Sequence, residues 1–417
     1  MGSTRVAVLG GGITGLTVHR RLIENGAEST LYEAQAVPGG LARSRITRGY
    51  VFDQCGGHIF NSRSQAVLDW VFRLLPRESW TFQPRLAKIL LEGTLVDYPL
   101  ELSLHQLDVD TQVECLVDLA SRQGGADAAD LEEWFIRSFG ETLARLYLIP
   151  YNSKVWRFPL ARMEHQWVSD KMPQPSLGEI FRALVTRSSR ESKMPHSTFY
   201  YPTAGGSQAL VDAIAGGLPG IRTSNAVMSL RRHGVQWTVN DQESYETVIS
   251  TVPLKELFRA LVDVPGEVAR AVGDLRYNSI TSTLVEHDLG PSISWIYLPG
   301  PETVCNKVSN VGRFSPRSCP DGSPTSMLVD TIGRHDAGSV RDDVRKLFPI
   351  GDVIDHHVTE YAYVVFDLDH RRNVGVVLEY LGRLGIPCVG RFAEWQYYNM
   401  DVCIGRALEA ADAVLAR

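Results

Sequence analysis

Gly10, Gly12 and Gly15 stand at the spacing G-x-G-x-x-G, directly after the apolar run Val6-Ala7-Val8-Leu9. In that order the first glycine permits a tight turn, the second lets a pyrophosphate approach the backbone, and the third lets a following helix pack on the strand. The N-terminus of that helix turns free N–H groups and a positive dipole end toward the phosphates. Glu33, closing the next β-rich run, is placed to accept hydrogen bonds from ribose hydroxyls. These residue types at this spacing point to a bound dinucleotide. The second glycine pair, in Pro38-Gly39-Gly40-Leu41-Ala42, suits backbone approach to an extended FAD.

The elements that must hold these residues read as strand Arg5–Leu9, a helix stopping at Gly26, and strand Ser29–Glu33, a βαβ opening. From Asp110 to Ile149 the pattern is helical. Val113, Leu116, Val117 and Ala120 form one expected buried stripe, and Leu131, Trp134, Phe135, Leu143 and Leu146 a second. Thr186–Ser197 is polar and reads as a loop. Thr247–Pro253 is again a buried strand. Between Tyr277 and Tyr363 short β-rich runs alternate with turns, as in an antiparallel sheet. A last helix begins near Asp401, with Ile404, Leu408, Ala411 and Leu415 on one face. The expected fold is α/β: a discontinuous Rossmann-like FAD domain (1–80, 198–255 and 384–417), an inserted helical domain (100–197), and an antiparallel β-sheet substrate domain (81–99 and 256–383).

The 417 residues carry a net charge of -6, which argues against a nucleic-acid partner. No apolar run is long enough to span a membrane, and the N-terminus reads as a strand rather than a signal peptide. Six scattered cysteines show neither disulfide rhythm nor zinc-ligand spacing, and no metal is expected. A reducing cytoplasm is the simplest compartment. A homo-oligomer is left open.

Gly56-Gly57-His58-Ile59-Phe60, Pro150-Tyr151-Asn152-Ser153-Lys154-Val155-Trp156, Tyr201-Pro202 with Gly205-Gly206, Ser315-Pro316, and Gly390-Arg391-Phe392 through Met400-Asp401 together resemble the UDP-galactopyranose mutases along nearly the whole chain. The resemblance implies a flavin-dependent isomerase that interconverts pyranose and furanose forms of a nucleotide sugar. In the family's mechanism reduced flavin N5 attacks the anomeric carbon and displaces the nucleotide. The adduct opens as an iminium and recloses on a different hydroxyl, and the nucleotide then returns. NAD(P)H or another external reductant would keep the flavin reduced.

By this resemblance the catalytic set is His58, Lys307, Tyr363, Arg391 and Tyr397. Lys307 and Lys171 stand where the family has arginines for the diphosphate, with Arg313 as a compensating cation. His58 would be a hydrogen-bond donor tuning the flavin. Substrate contacts are Tyr98, Glu101, Asn152, Trp156, Lys171, Tyr297, Arg313 and Asn399. Cofactor contacts are Gly10, Gly12, Thr14, Gly15, Glu33, Gly40, Leu41, Gly57, His58, Val227, Gly390, Arg391, Met400 and Asp401. The pair His356-His357 is read as structural.

Tyr98-Pro99-Leu100-Glu101 resembles the family's uracil-binding stretch, which usually carries phenylalanine and glutamine at the last two positions. An ionised Glu101 can only accept hydrogen bonds, which suits the paired N–H donors of guanine. The expected substrate is therefore a GDP-sugar, for example GDP-L-galactose, ahead of UDP-galactose. The competing reading is an FAD-dependent oxidase or desaturase of the amine-oxidase type, built on the same dinucleotide architecture.

Overall fold

A computed structural model describes residues 5–416 other than 123, 170, 173, 189–196 and 321–325, and the side chain of 169. The polar loop expected over Thr186–Ser197 therefore lies mostly outside the described residues.

The strand Arg5–Leu9 is central because nothing polar interrupts it. Val6, Ala7, Val8 and Leu9 are fully buried, as in a parallel sheet covered on both faces. It pairs in parallel with Glu28–Tyr32 on one side and Thr247–Ser250 on the other, and Ile221–Arg222 extends the sheet beyond Tyr32. Helices Ile13–Glu24 and Met400–Leu415 cover one face, packing Leu16, Val18, Ile404, Ala407 and Ala411 into a common core. Helices Leu254–Ala260, Gly266–Asp274 and His370–Leu384 cover the other face. The fold is the α/β dinucleotide architecture expected.

A second sheet has seven strands. Their order is Val353–Val365, Arg276–Glu286, Ser326–Ile332, Cys305–Asn310, Trp295–Tyr297, Ala87–Leu91 and Thr94–Asp97. All neighbours are antiparallel except Trp295–Tyr297 beside Ala87–Leu91. Alternation along these strands separates two faces. Ile296, Val308 and Val329 join the core under helix Ala337–Val344. Tyr297, Lys307 and Asp330, one position away from each, fall on the opposite face.

The helical region builds its own core around Leu131, Trp134, Phe135, Phe139, Leu143 and Trp156. Helix Leu131–Phe139 is capped by Asp130, whose side chain accepts from Glu133 N, and it ends at Gly140. Helix Val109–Ser121 corrects the sequence reading. Its buried residues are Cys115 and Leu119, while Val113 and Val117 are 53% and 62% exposed. The expected stripe was a helical face, but the core takes the neighbouring one, a choice that periodicity leaves to packing. No helix among the described residues is long and apolar enough to cross a membrane.

Candidate active site

Where the two sheets and the helical region meet, they enclose a cavity of about 1120 Å³, large for a single small-molecule pocket and ample for a dinucleotide with a substrate. Its wall runs from Gly10–Thr14 and Glu33 through Cys55–His58 to Trp156, Lys171, Lys307, Tyr363 and Tyr397.

The dinucleotide end is made largely of backbone. Gly15 has no substitute, since a Cβ there would sit 1.9 Å from the Gly10 carbonyl oxygen. The Glu33 carboxylate accepts from Gly11 N and from Gln35 N, each at 2.7 Å. One N–H on each oxygen leaves further lone pairs for ribose hydroxyls. Gly390, at φ 101°, lies against Thr14, and a Cβ there would meet Thr14 Oγ1 at 2.6 Å. Helices Ile13–Glu24 and Met400–Leu415 both start at the cavity wall, which carries Thr14, Asn399, Met400 and Asp401. Gly40, Leu41, Gly57 and Val227 line it too. The glycine cradle, the half-used carboxylate and the helix starts fit FAD.

His58 sits on the loop behind Gly56-Gly57. Its Nδ1 lies 2.8 Å from the Gly56 carbonyl oxygen. A carbonyl only accepts, so Nδ1 carries the proton. Burial pushes the pKa down against the opposing pull of Asp53, so the ring is neutral and its Nε2 is an acceptor. The uncharged ring is thus not the donor expected from the sequence. Asp53 anchors this loop, accepting from Ser44 Oγ at 2.5 Å and Tyr201 Oη at 2.9 Å.

Opposite that loop stand two cations with no carboxylate partner among the described residues. Arg391 Nη2 donates to Ala362 O at 2.7 Å and Nη1 to Tyr398 O at 3.2 Å, while its buried Nε has no partner. Its guanidinium lies 4.3 Å from the Tyr397 ring centroid. Lys171 Nζ donates to the Tyr397 carbonyl and lies 3.6 Å from the same ring centroid. Burial, and then the nearby Arg391 charge, push Lys171 down to about 7. Tyr363 and Tyr397 stack 5.9 Å apart, and Trp156 meets both edge-on. Asn152 fixes that tryptophan, accepting from Trp156 Nε1 at 3.0 Å and donating to Leu148 O at 2.8 Å. One N–H and one lone pair of its amide are used within the helix, so it positions Trp156 while the rest of the amide remains on the cavity wall.

The sheet supplies the third side. Lys307 Nζ lies 3.1 Å from Asp330 Oδ2, inside the protein. Burial works against the ammonium, but Asp330 outweighs it and holds the pKa above the ordinary lysine range. Asp330 Oδ1 accepts from Ser282 Oγ at 3.0 Å, and Ser282 Oγ accepts from Gly56 N at 3.0 Å. Lys307 is therefore half of an ion pair tied to the flavin loop, not an unopposed diphosphate cation.

The remaining predicted residues divide. Tyr98 and Tyr297 line the cavity, their rings 5.3 Å apart. Glu101 is buried but off the wall, close to Tyr98 and Tyr147. Arg313 does not reach the cavity. Its guanidinium donates to the Pro291 carbonyl, because the Asn310 cap of its short helix turns it outward. His356 bonds Thr283 Oγ1 through Nδ1, and no cluster among the described residues could hold a metal. Sequence reasoning missed Arg85, Trp295, Asn306 and Asp330. Asp330 left a signal, a carboxylate inside the apolar run Met327-Leu328-Val329-Asp330. Arg85 left none, since a lone arginine reads as surface.

The model of the flavin containing amine oxidoreductase family matches residues 13–414. The UDP-galactopyranose mutase of Mycoplasma pneumoniae is 21% identical over 98% of this chain and 95% of its own. A crystal structure of reduced UDP-galactopyranose mutase superposes with a TM-score of 0.88 at 25% identity, covering 99% of this chain and 96% of that one. A putative protoporphyrinogen oxidase from Exiguobacterium sp. 255-15 shares the fold, with a TM-score of 0.76 at 18% identity and full coverage of both chains. The chain belongs to the flavin containing amine oxidoreductase family, and within it is similar to the UDP-galactopyranose mutases from end to end.

Proposed function

We propose that the protein is a flavin-dependent nucleotide-sugar mutase, interconverting pyranose and furanose forms of a nucleoside-diphosphate hexose. The observation that carries the reading is the pair Lys171 and Arg391. Two partly buried cations with no carboxylate partner among the described residues line the same cavity as the loop shaped for flavin, and the anion that fits between them is a diphosphate. Both are fixed on backbone carbonyls, so they are in place before the substrate arrives, and they stabilise the charge that gathers on a departing nucleoside diphosphate. Trp156, Tyr363 and Tyr397 keep water from that exchange. Lys307, held by Asp330, offers a donor to sugar hydroxyls. When bound, reduced FAD supplies the nucleophile for a rearrangement with no net oxidation. An external reductant such as NAD(P)H is needed only to keep it reduced.

The finer part of the proposal is the base. The family resemblance supports a GDP-hexose as the preferred substrate: the stretch Tyr98–Glu101 carries a glutamate where the family has glutamine, an exchange that suits the N1–H and N2–H donors of guanine, with Glu101 standing behind Tyr98 rather than on the wall. The test is to incubate dithionite-reduced protein with GDP- and UDP-hexoses and look for furanose products by chromatography. A furanose peak without consumption of oxidant is expected. Peroxide formed from an amine, with no sugar rearranged, would establish the oxidase instead. UDP binding more tightly than GDP to the reduced protein would remove the guanine preference alone.

A further inference from the structure

The loop that carries Arg391 and Tyr397 is held in a conformation that its own residues do not favour. Gly390 has φ 101° and Trp395 has φ 53°, so a left-handed residue stands at each end of the turn, and the second is a bulky aromatic. Left-handed backbone at a non-glycine residue persists only where the surroundings over-determine it, and it gathers where function needs a fixed geometry. Trp395 is wholly buried. Its indole N–H donates to Arg276 O at 3.2 Å, and its carbonyl oxygen lies 2.9 Å from His370 Nε2.

Between these two residues sits Glu394, 7% exposed. Its Oε2 accepts from Gly390 N at 2.8 Å, and its own N–H donates to Gly390 O at 2.8 Å, which closes the turn on itself. Arg406, on the last helix, grips the carboxylate, with Nε 2.7 and 2.9 Å from its two oxygens and Nη2 2.5 Å from Oε1. The same guanidinium lies 5.8 Å from the Tyr398 ring centroid, and the Tyr398 carbonyl is one of the two that hold Arg391. Arg406 therefore ties both ends of the segment to one helix. On its other side Gly390 is wedged against Thr14. Glu394 and Arg406 stand off the cavity wall, whereas Arg391 and Tyr397 line it. The pair can reach a ligand only through those two residues.

A buried ion pair adds little net stability, because desolvation offsets the attraction, and its best-attested use is to fix one arrangement among several. We propose that Glu394, gripped by Arg406, is a positioning residue for nucleotide binding: it fixes the turn that aims the Arg391 guanidinium and the Tyr397 ring at the diphosphate, an assignment that rests on the nucleotide-sugar reading. Without this carboxylate the Gly390 N–H loses its acceptor and the turn loses its tie to Arg406. Arg391 then samples several positions, and the ligand must order it at a cost in affinity.

The experiment is a double-mutant cycle on the dithionite-reduced holoprotein, read by calorimetry with UDP and GDP, with flavin absorbance and melting temperature taken alongside. Glu394→Ala is the first variant, because the Arg406 side chain that it frees is 44% exposed and can turn to water. It is expected to weaken the tighter-binding nucleotide about tenfold, within the range of coupling between residues of one network, with flavin content at the parent level. Glu394→Gln keeps a neutral acceptor for Gly390 N, so a milder loss is expected, and it serves if Glu394→Ala does not fold. In the Arg391→Met background either substitution is expected to change affinity less than about twofold, since effects exerted through a shared residue do not add. Equal losses in the two backgrounds, an unchanged affinity, or loss of flavin in step with nucleotide would make Glu394 a structural residue and overturn the proposal while the mutase reading stands. Failure of the parent protein to bind either nucleotide overturns both.

Discussion

The two ends of the cavity are built from different materials. Around Gly10–Gly15 and Glu33 the ligand would meet mostly backbone, positioned by one strand, one turn and one helix that are adjacent in sequence. Around Lys171, Arg391 and Lys307 it would meet side chains that arrive from a helical insertion, a C-terminal loop and a sheet. The first end tolerates almost no added atom. The second tolerates exchanges of side chain that alter what is bound while the fold persists. Four measurements can break or sharpen that contrast.

Gly15→Ala should have the largest effect. A methyl placed 1.9 Å from the Gly10 oxygen forces strand and helix apart, costing about 3 kcal/mol or more on the scale of overpacking. Purified protein should carry almost no flavin absorbance and melt well below the parent. Normal flavin content would show that the backbone end is looser than the contrast requires. Arg391→Met comes next. Losing one partner of a partly buried charged contact costs roughly 2 kcal/mol, the low end of the range for buried ones, so nucleoside-diphosphate affinity should drop while bound flavin stays near the parent level. If flavin is lost instead, Arg391 belongs to the cofactor end.

Glu101→Gln should lower GDP affinity by roughly 1–3 kcal/mol, the scale of a hydrogen-bond donor left unsatisfied. UDP affinity should hold or rise, as a paired titration would read. A fall shared equally by both nucleotides would mean that Glu101 acts only by packing behind Tyr98. The mildest effect concerns pH. Burial, and then the Arg391 charge, push Lys171 down to about 7, and a bound diphosphate favours its charged form. Below pH 7 the ammonium is already present and affinity should be flat. Above pH 7 binding must take up a proton, so affinity should fall by up to about tenfold per pH unit. Calorimetry in buffers of different ionisation enthalpy would count that proton, and Lys171→Met should bind weakly with no slope across the same range.

Legibility followed the same division. The glycine loop, Glu33 and the start of the last helix at Met400 could be read because their function depends on local spacing. Tyr363, Tyr397, Arg391 and Lys171 were named from the family resemblance, and the structure brings them to one wall. The errors came where a side chain's direction depends on distant partners. Arg313 sits in a basic, plausible stretch, yet the cap on Asn310 sends it to Pro291. Lys307 was named as a diphosphate cation, but Asp330 on the adjacent strand neutralises it. The valines of Val109–Ser121 marked a helix and misplaced its buried side.

By itself the sequence determined a buried parallel strand feeding a glycine turn, because the rise of a strand and the steric demand of each glycine are properties of a few neighbouring residues. Only the tertiary structure decided which cations have no carboxylate partner among the described residues. That depends on which strands become neighbours in the seven-stranded sheet, and on where a helical insertion closes over it. Charge balance in a buried site is a sum over elements far apart in the chain, so it exists only once they have packed.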